Sequence, residues 1–247
     1  MDARLDKALL TAIHAIAERF GPSAVVKGGM ALRLQGIPRS TMDVDFCFQP
    51  YRHKTPFTEE LVLLMQDLCE GDLSVHSDSK KLRIAGRLEG ADIVVEASPH
   101  EAFEPDTLPT HVLARAVNLQ PCVVSIMPNP MAFAHKLGTW LDRRLSRDLY
   151  DIYVFYDVLR SAPDAKILLN RIRHPNYAHG VKPQPHLDTI QAFLDFLRSE
   201  CSKVGAAQIE EDLMGVVDER ERAGIGGLIQ TTIRRMSRGG GDAESAH

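Results

Sequence analysis

Residues 24–48 read AVVKGGMALRLQGIPRSTMDVDFCF, and the order of residue types in that stretch decides the architecture of this part of the chain. Ala24, Val25 and Val26 are apolar and mostly β-branched, the composition of a short buried strand. They run into Lys27-Gly28-Gly29, after which Met30 to Leu34 are helix formers and Gly36-Ile37-Pro38 ends them. Val44, Phe46 and Phe48 then alternate with Asp43, Asp45 and Cys47, the period-two writing of a second strand. The expected order is strand, glycine turn, short helix, strand. Because residues i and i+2 of a strand share a face, Asp43 and Asp45 set two carboxylates side by side while Val44 and Phe46 enter the core.

Upstream, apolar residues at Leu5, Leu9, Ile13, Ile16 and Ala17 form a helical stripe that stops at Gly21-Pro22. Downstream, Leu61, Leu64, Met65 and Leu68 mark one face of a helix over about 58–69. Strand-like stretches follow at about 73–76, 81–88 and 91–97, the last two joined at Gly90, and a further strand pair is expected over about 114–120 and 122–127. Beyond Pro130 the pattern becomes helical, over about 131–145, 147–159, 165–172, 187–203, 209–218 and 222–236, with a polar, proline-bearing loop at about 174–186. Strands first and helices later predict an α+β chain. The expected parts are a mixed sheet with flanking helices in residues 1–129, a mainly helical domain in 130–236, and a glycine-rich polar tail, 237–247, expected to be disordered.

The chain has 247 residues with 44% hydrophobic and 25% charged content, enough for a sizeable core. Its net charge of -4 argues against a dedicated duplex-DNA binder, so any nucleic-acid contact must use a local patch. Cys47, Cys69, Cys122 and Cys201 form no C-x-x-C pair and read as reduced thiols. The first twenty residues carry charges throughout, unlike a signal peptide, and no run of about 20 apolar residues is present to span a bilayer. A cytoplasmic location with no membrane association is the expectation.

Two parallel carboxylates repel unless a cation lies between them. Hard oxygen ligands suit Mg²⁺, or Mn²⁺ in its place, and such an ion ordinarily keeps substrate phosphates in its shell. A glycine turn opening a helix presents backbone N–H groups to phosphate oxygens. D-x-D alone is common and is as readily an acidic strand edge, and paired glycines alone are usually just a turn. Their succession here is what binding a metal–triphosphate requires. Glu96 stands in the apolar run Ile93-Val94-Val95-Glu96-Ala97, where a charge needs a partner or a metal, and is the candidate third carboxylate, with Asp92 second. Arg39, just before the D-x-D strand, is in reach of a bound triphosphate and is equally readable as a surface arginine.

On a helix, Lys136, Arg143 and Arg147 fall within about 40° of one another, though a break near Leu145-Ser146 would relax the alignment. Asp148 and Asp151 are near enough to pair with these cations. The cations suit a triphosphate or a nucleic-acid backbone; a salt-bridged solvent face is the plain alternative. Trp140 reads as core, no two histidines stand at i,i+4 spacing, and Arg234, Arg235 and Arg238 make a basic C-terminal end.

K-G-G-M-A-L followed by R-S-T-M-D-V-D-F resembles the first motif of polymerase-beta-type nucleotidyltransferases, and more closely that of the AbiEii/AbiGii toxin family, which includes the mycobacterial MenT toxins. The later spacing K-x6-R-x3-R-D-x2-D, from Lys136 to Asp151, is similar to a second block of that family. The resemblance covers about residues 24–156. It implies that Gly28 and Gly29 contact the triphosphate and that Asp43 and Asp45 bind Mg²⁺. It further implies that Lys136 and Asp148 act in the site, with Arg147 and Asp151 organising them. The wider superfamily often has Ser after the first glycine; here Gly29 and Met30 follow, so that hydroxyl is missing from the turn. The activity implied is transfer of a nucleoside monophosphate from an NTP to an RNA acceptor, the tRNA 3′ end, by a toxin with a cognate antitoxin. Transfer to a small molecule or protein, or an inactive nucleotide-binding module, are the competing readings.

Overall fold

A computed structural model describes residues 2–184 and 187–239. The chain divides into two compact units, Met1–Pro128 and Asn129–His247. The eight residues from 240 on, in the expected tail, and positions 185–186 of the expected 174–186 loop lie outside the described residues.

The first unit is a seven-stranded mixed sheet in the order β3-β4-β5-β2-β1-β7-β6. Its elements run α1 (Ala3–Phe20), β1 (Ala24–Lys27), α2 (Gly28–Leu34), β2 (Asp43–Phe48), α3 (Thr55–Leu68), β3 (Glu70–Ser77), β4 (Leu82–Leu88), β5 (Ala91–Pro99), β6 (Asp106–Pro109), α4 (His111–Ala116) and β7 (Val123–Ile126). Asp2 caps α1 by accepting from the Arg4 amide. The helix buries Leu9, Leu10, Ile13 and Ile16 in one cluster with Phe57, Leu61 and Met65 of α3. The alternating inward residues Val44, Phe46, Phe48, Ile84 and Val95 complete that cluster. One face of the sheet is thus covered, and Asp43 and Asp45 of β2 lie on the other.

Strand β2 is interior, antiparallel to β1 and parallel to β5. The expectation of a strand over 114–120 is corrected: His111–Ala116 is helix α4, and the partner of β7 is β6, Asp106–Pro109. Residues 111–116, HVLARA, contain good helix formers, and Thr110 ties the helix start to β7 by donating to the Cys122 carbonyl at 3.2 Å.

The second unit is helical: α5 (Asn129–Arg143), α6 (Ser146–Tyr153) with a π-helical turn at Val154–Val158, α7 (Ala165–Arg173), α8 (Ile190–Lys203), α9 (Ala206–Asp212), α10 (Glu219–Arg222) and α11 (Ile225–Gly239). Trp140 is core, packed on Phe193 and Phe196. The expected helix over 209–218 is earlier and shorter, and that over 222–236 splits at Ala223–Gly224, where Gly224 has a positive φ of 81°. Positions 237–239 of the expected disordered tail belong to α11; Ser237 is buried and its carbonyl accepts from Gln191 at 2.9 Å.

Candidate active site

The glycine turn explains itself sterically. Gly28 sits at φ +67°, a conformation natural to glycine, and a Cβ built there would lie 2.5 Å from Asp45 Oδ2. A Cβ on Gly29 would run into the Arg39 guanidinium. Both glycines are therefore places where a charged side chain lies directly on the backbone. The first turn of α2 lies beside Asp45, with Lys27 as the register partner of Asp45 on β1 and Glu96 its partner on β5.

Asp43 and Asp45 are half-buried and share the open face of β2. Thr41 donates its hydroxyl to Asp43 Oδ1 at 2.5 Å, and its Cβ would be 3.3 Å from one added to Gly29. Across the sheet, a row of register partners sets polar side chains on five successive strands: His76, Arg83, Glu96, Asp45 and Lys27. Lys27 donates to Ser98 Oγ at 3.2 Å.

Glu96 is beside Asp45, whereas Asp92 is displaced two residues beyond Val94, the partner of Asp43, and is exposed. Both Glu96 oxygens are engaged, by Lys81 at 2.8 Å and Arg83 at 2.5 Å. Among the described residues, no three His, Cys, Asp or Glu side chains form a ready-made metal-ligand group. Cys47, next along the same face, is fully buried; burial pushes its thiol up to about 11, against the lowering influence of Lys27.

In the second unit, Arg144 adopts φ +52° and ends α5, and α6 restarts after Leu145. On an unbroken helix Lys136 and Asp148 would stand about 18 Å apart. The break folds Asp148 back onto α5, where Lys136 reaches it at 3.2 Å and Arg143 grips it through Nε at 2.7 Å and Nη2 at 2.8 Å. Lys136 also bridges to Asp151 at 2.8 Å. Both aspartates are fully buried. Burial alone would raise the Asp148 carboxyl, but the hydrogen bonds and charges of Arg143 and Lys136 outweigh it and hold it below the usual carboxylate range. The three-cation stripe is not continuous: Arg147 is exposed beyond the break, and the organising arginine at Asp148 is Arg143.

A family model described as nucleotidyl transferase AbiEii toxin, type IV TA system, matches residues 9–224. The chain belongs to the AbiEii nucleotidyltransferase toxin family. This AbiEii protein is accordingly a nucleotidyltransferase. No curated protein matches it. Among solved structures it is similar to the MenT4 nucleotidyltransferase toxin of Mycobacterium tuberculosis H37Rv, at 18% identity and TM-score 0.44 over 92% of each chain. A protein of H. pylori described as a nucleotidyltransferase shares the fold at 15% identity and TM-score 0.53 over 95% of each chain.

In the AbiEii chain, then, Gly28, Gly29, Arg39, Asp43, Asp45 and Glu96 gather on one end of the first unit's sheet, and Lys136, Arg143, Asp148 and Asp151 form one cluster in the second unit. Sequence reasoning leaves out Thr41, Lys27, Lys81 and Arg83. The Thr41 contact depends on how the chain returns to the glycine turn, and the Lys81 and Arg83 pairing depends on strand register.

Proposed function

We propose that this chain transfers a nucleoside monophosphate from an NTP to an RNA acceptor, the tRNA 3′ end, with pyrophosphate as the leaving group. The carrying observation is the packing of Asp45 on Gly28 beside Asp43, which sets two carboxylates against a backbone N–H cradle. That donor set fits a hard divalent cation: two carboxylates on one face, one filling the space a Cβ would take, leaving the remaining positions to phosphate oxygens and water. Asp43 and Asp45 would hold Mg²⁺, which when bound supplies positive charge to the phosphates.

The residues of the chain have separate tasks in this reading. Thr41 fixes the orientation of Asp43, and the first turn of α2 with Arg39 binds the triphosphate. Glu96 adds negative charge beside Asp45 and orients its two cations. Within the second unit, Asp148 and Asp151 position Lys136 and Arg143 holds Asp148, with Arg147 exposed beside that cluster. The acceptor hydroxyl oxygen forms a bond to the α-phosphorus as the bond to the β-bridging oxygen breaks, its proton passing to solvent and pyrophosphate leaving. A cognate antitoxin is the partner expected to restrain the activity.

Incubation with each labelled NTP plus total RNA, and separately plus protein extract, tests the assignment. Label should enter RNA, and Asp45→Asn should reduce incorporation by at least about 10³-fold while the protein stays folded by circular dichroism. Label entering protein instead would replace the acceptor. Full activity in Asp45→Asn would remove the metal assignment.

A further inference from the structure

The charges on the open face of the first unit are segregated. At the Asp43 end, Glu70, Asp72 and Asp92 border a cleft of about 340 Å³ floored by Val94 and Met42, with Arg87 as its cation. At the Asp45 end the sign reverses. Lys81 and Arg83 are 46% and 45% exposed, and Glu96, whose own side chain is 16% exposed, holds both. Lys54 joins them by donating to the Lys81 carbonyl at 3.4 Å, Lys80 precedes Lys81 in the turn, and His76 is the register partner of Arg83. Asp78 accepts from the Lys80 and Lys81 amides at 2.7 and 2.8 Å and lies within electrostatic reach of Lys54 and Lys81, so the four cations outnumber two nearby carboxylates, Asp78 and Glu96.

This patch is positive on a chain of net charge -4, and Glu96 holds two of its cations, Lys81 and Arg83, in place. Arg83 lies two strands from Asp45 in the register row, about 10 Å away. That is too far to share a metal with Asp45, and near enough to meet backbone phosphates just upstream of a reacting 3′ end. We infer that Lys54, Lys80, Lys81 and Arg83 form the acceptor-backbone subsite, and that Glu96 acts as the positioning residue that presents Lys81 and Arg83 to it. The inference rests on the RNA acceptor proposed above and adds where the strand lies: it leaves the reaction centre across β5 and β4 at the Asp45 end, away from the carboxylate-bordered cleft, which repels phosphate.

Fluorescently labelled bulk tRNA titrated at several salt concentrations, with NTP titrated separately by calorimetry, tests the subsite. Lys81→Ala/Arg83→Ala should weaken tRNA binding by on the order of tenfold and flatten the log–log salt dependence by about 0.7 for each phosphate deprived of its cation. NTP affinity should hold, and Lys81→Arg/Arg83→Lys should restore the slope. Lys54→Ala/Lys80→Ala leaves the Glu96 pairs intact and should shift tRNA binding in the same direction even if the first variant folds poorly. Unchanged tRNA affinity and slope in both double variants overturns the subsite. So does a parallel loss of NTP affinity, which would make these cations triphosphate ligands, or a loss confined to an acidic protein partner. Failure of the wild-type protein to bind tRNA at all overturns the acceptor reading itself, which separates the two failures.

Discussion

Gly28 meets two demands at once, a left-handed backbone at φ +67° and a carboxylate oxygen 2.5 Å from where a Cβ would be. Alanine there is strained and pushes Asp45 out of line. Gly28→Ala should therefore lower transfer by at least about 10²-fold, with a loss of about 1–2 kcal/mol in unfolding free energy. Single-turnover assays and urea titration on one preparation check both, and a variant as active as wild type would show that the turn does not position Asp45. Gly28, Asp43 and Asp45 are legible in the sequence because their chemistry is local, a turn and a two-residue repeat. Thr41 is harder to read. Its hydroxyl matters because the chain returns to the glycine turn and delivers it to Asp43, and Ser40 beside it would look as suitable on paper.

Helix α2 has seven residues, too short to persist by propensity, and tertiary contacts must hold it. One is an ion pair across the unit. Arg33, buried at 3% side-chain exposure, donates to both Asp6 oxygens, at 2.5 and 2.8 Å. Asp6→Ala removes this bidentate partner and should destabilise the protein by about 3 kcal/mol, seen as a lower urea midpoint at unchanged slope. A loss below about 0.5 kcal/mol would mean the pair is no more than a surface contact. No sequence pattern reveals this pair, since its members lie on different helices 27 positions apart. The same reason hides β6: DTLP has no alternation and ends in proline, and becomes a strand only because β7 offers it an edge. The alternating run of β2, by contrast, needs no partner to be recognised.

Across the whole chain, the electrostatics predict an acid limit. The Asp148 carboxyl is lower in the folded protein than in the unfolded chain, so its stabilisation is present in full above the unfolded value near pH 4 and is lost as pH falls through the folded one. Asp148→Asn should cost about 3 kcal/mol at pH 7, and the gap to wild type should narrow on acidification below about pH 4. Urea unfolding at pH 7 and pH 3.5 measures both, and a pH-independent gap would place the effect in packing rather than in charge. The α+β class, the helical second unit and a helix break near Leu145-Ser146 follow from patterns that survive without context, whereas the fold-back of Asp148 onto Lys136 and Arg143 that the break permits depends on tertiary pairing. The setting of β2 has a further consequence in time. It is hydrogen-bonded on both sides, between β1 and β5, with an apolar underside at zero exposure, so its amides open only when the sheet itself opens. The two carboxylates ride on a strand whose opening requires that of its neighbours, and hydrogen exchange at β2 should accordingly be slow.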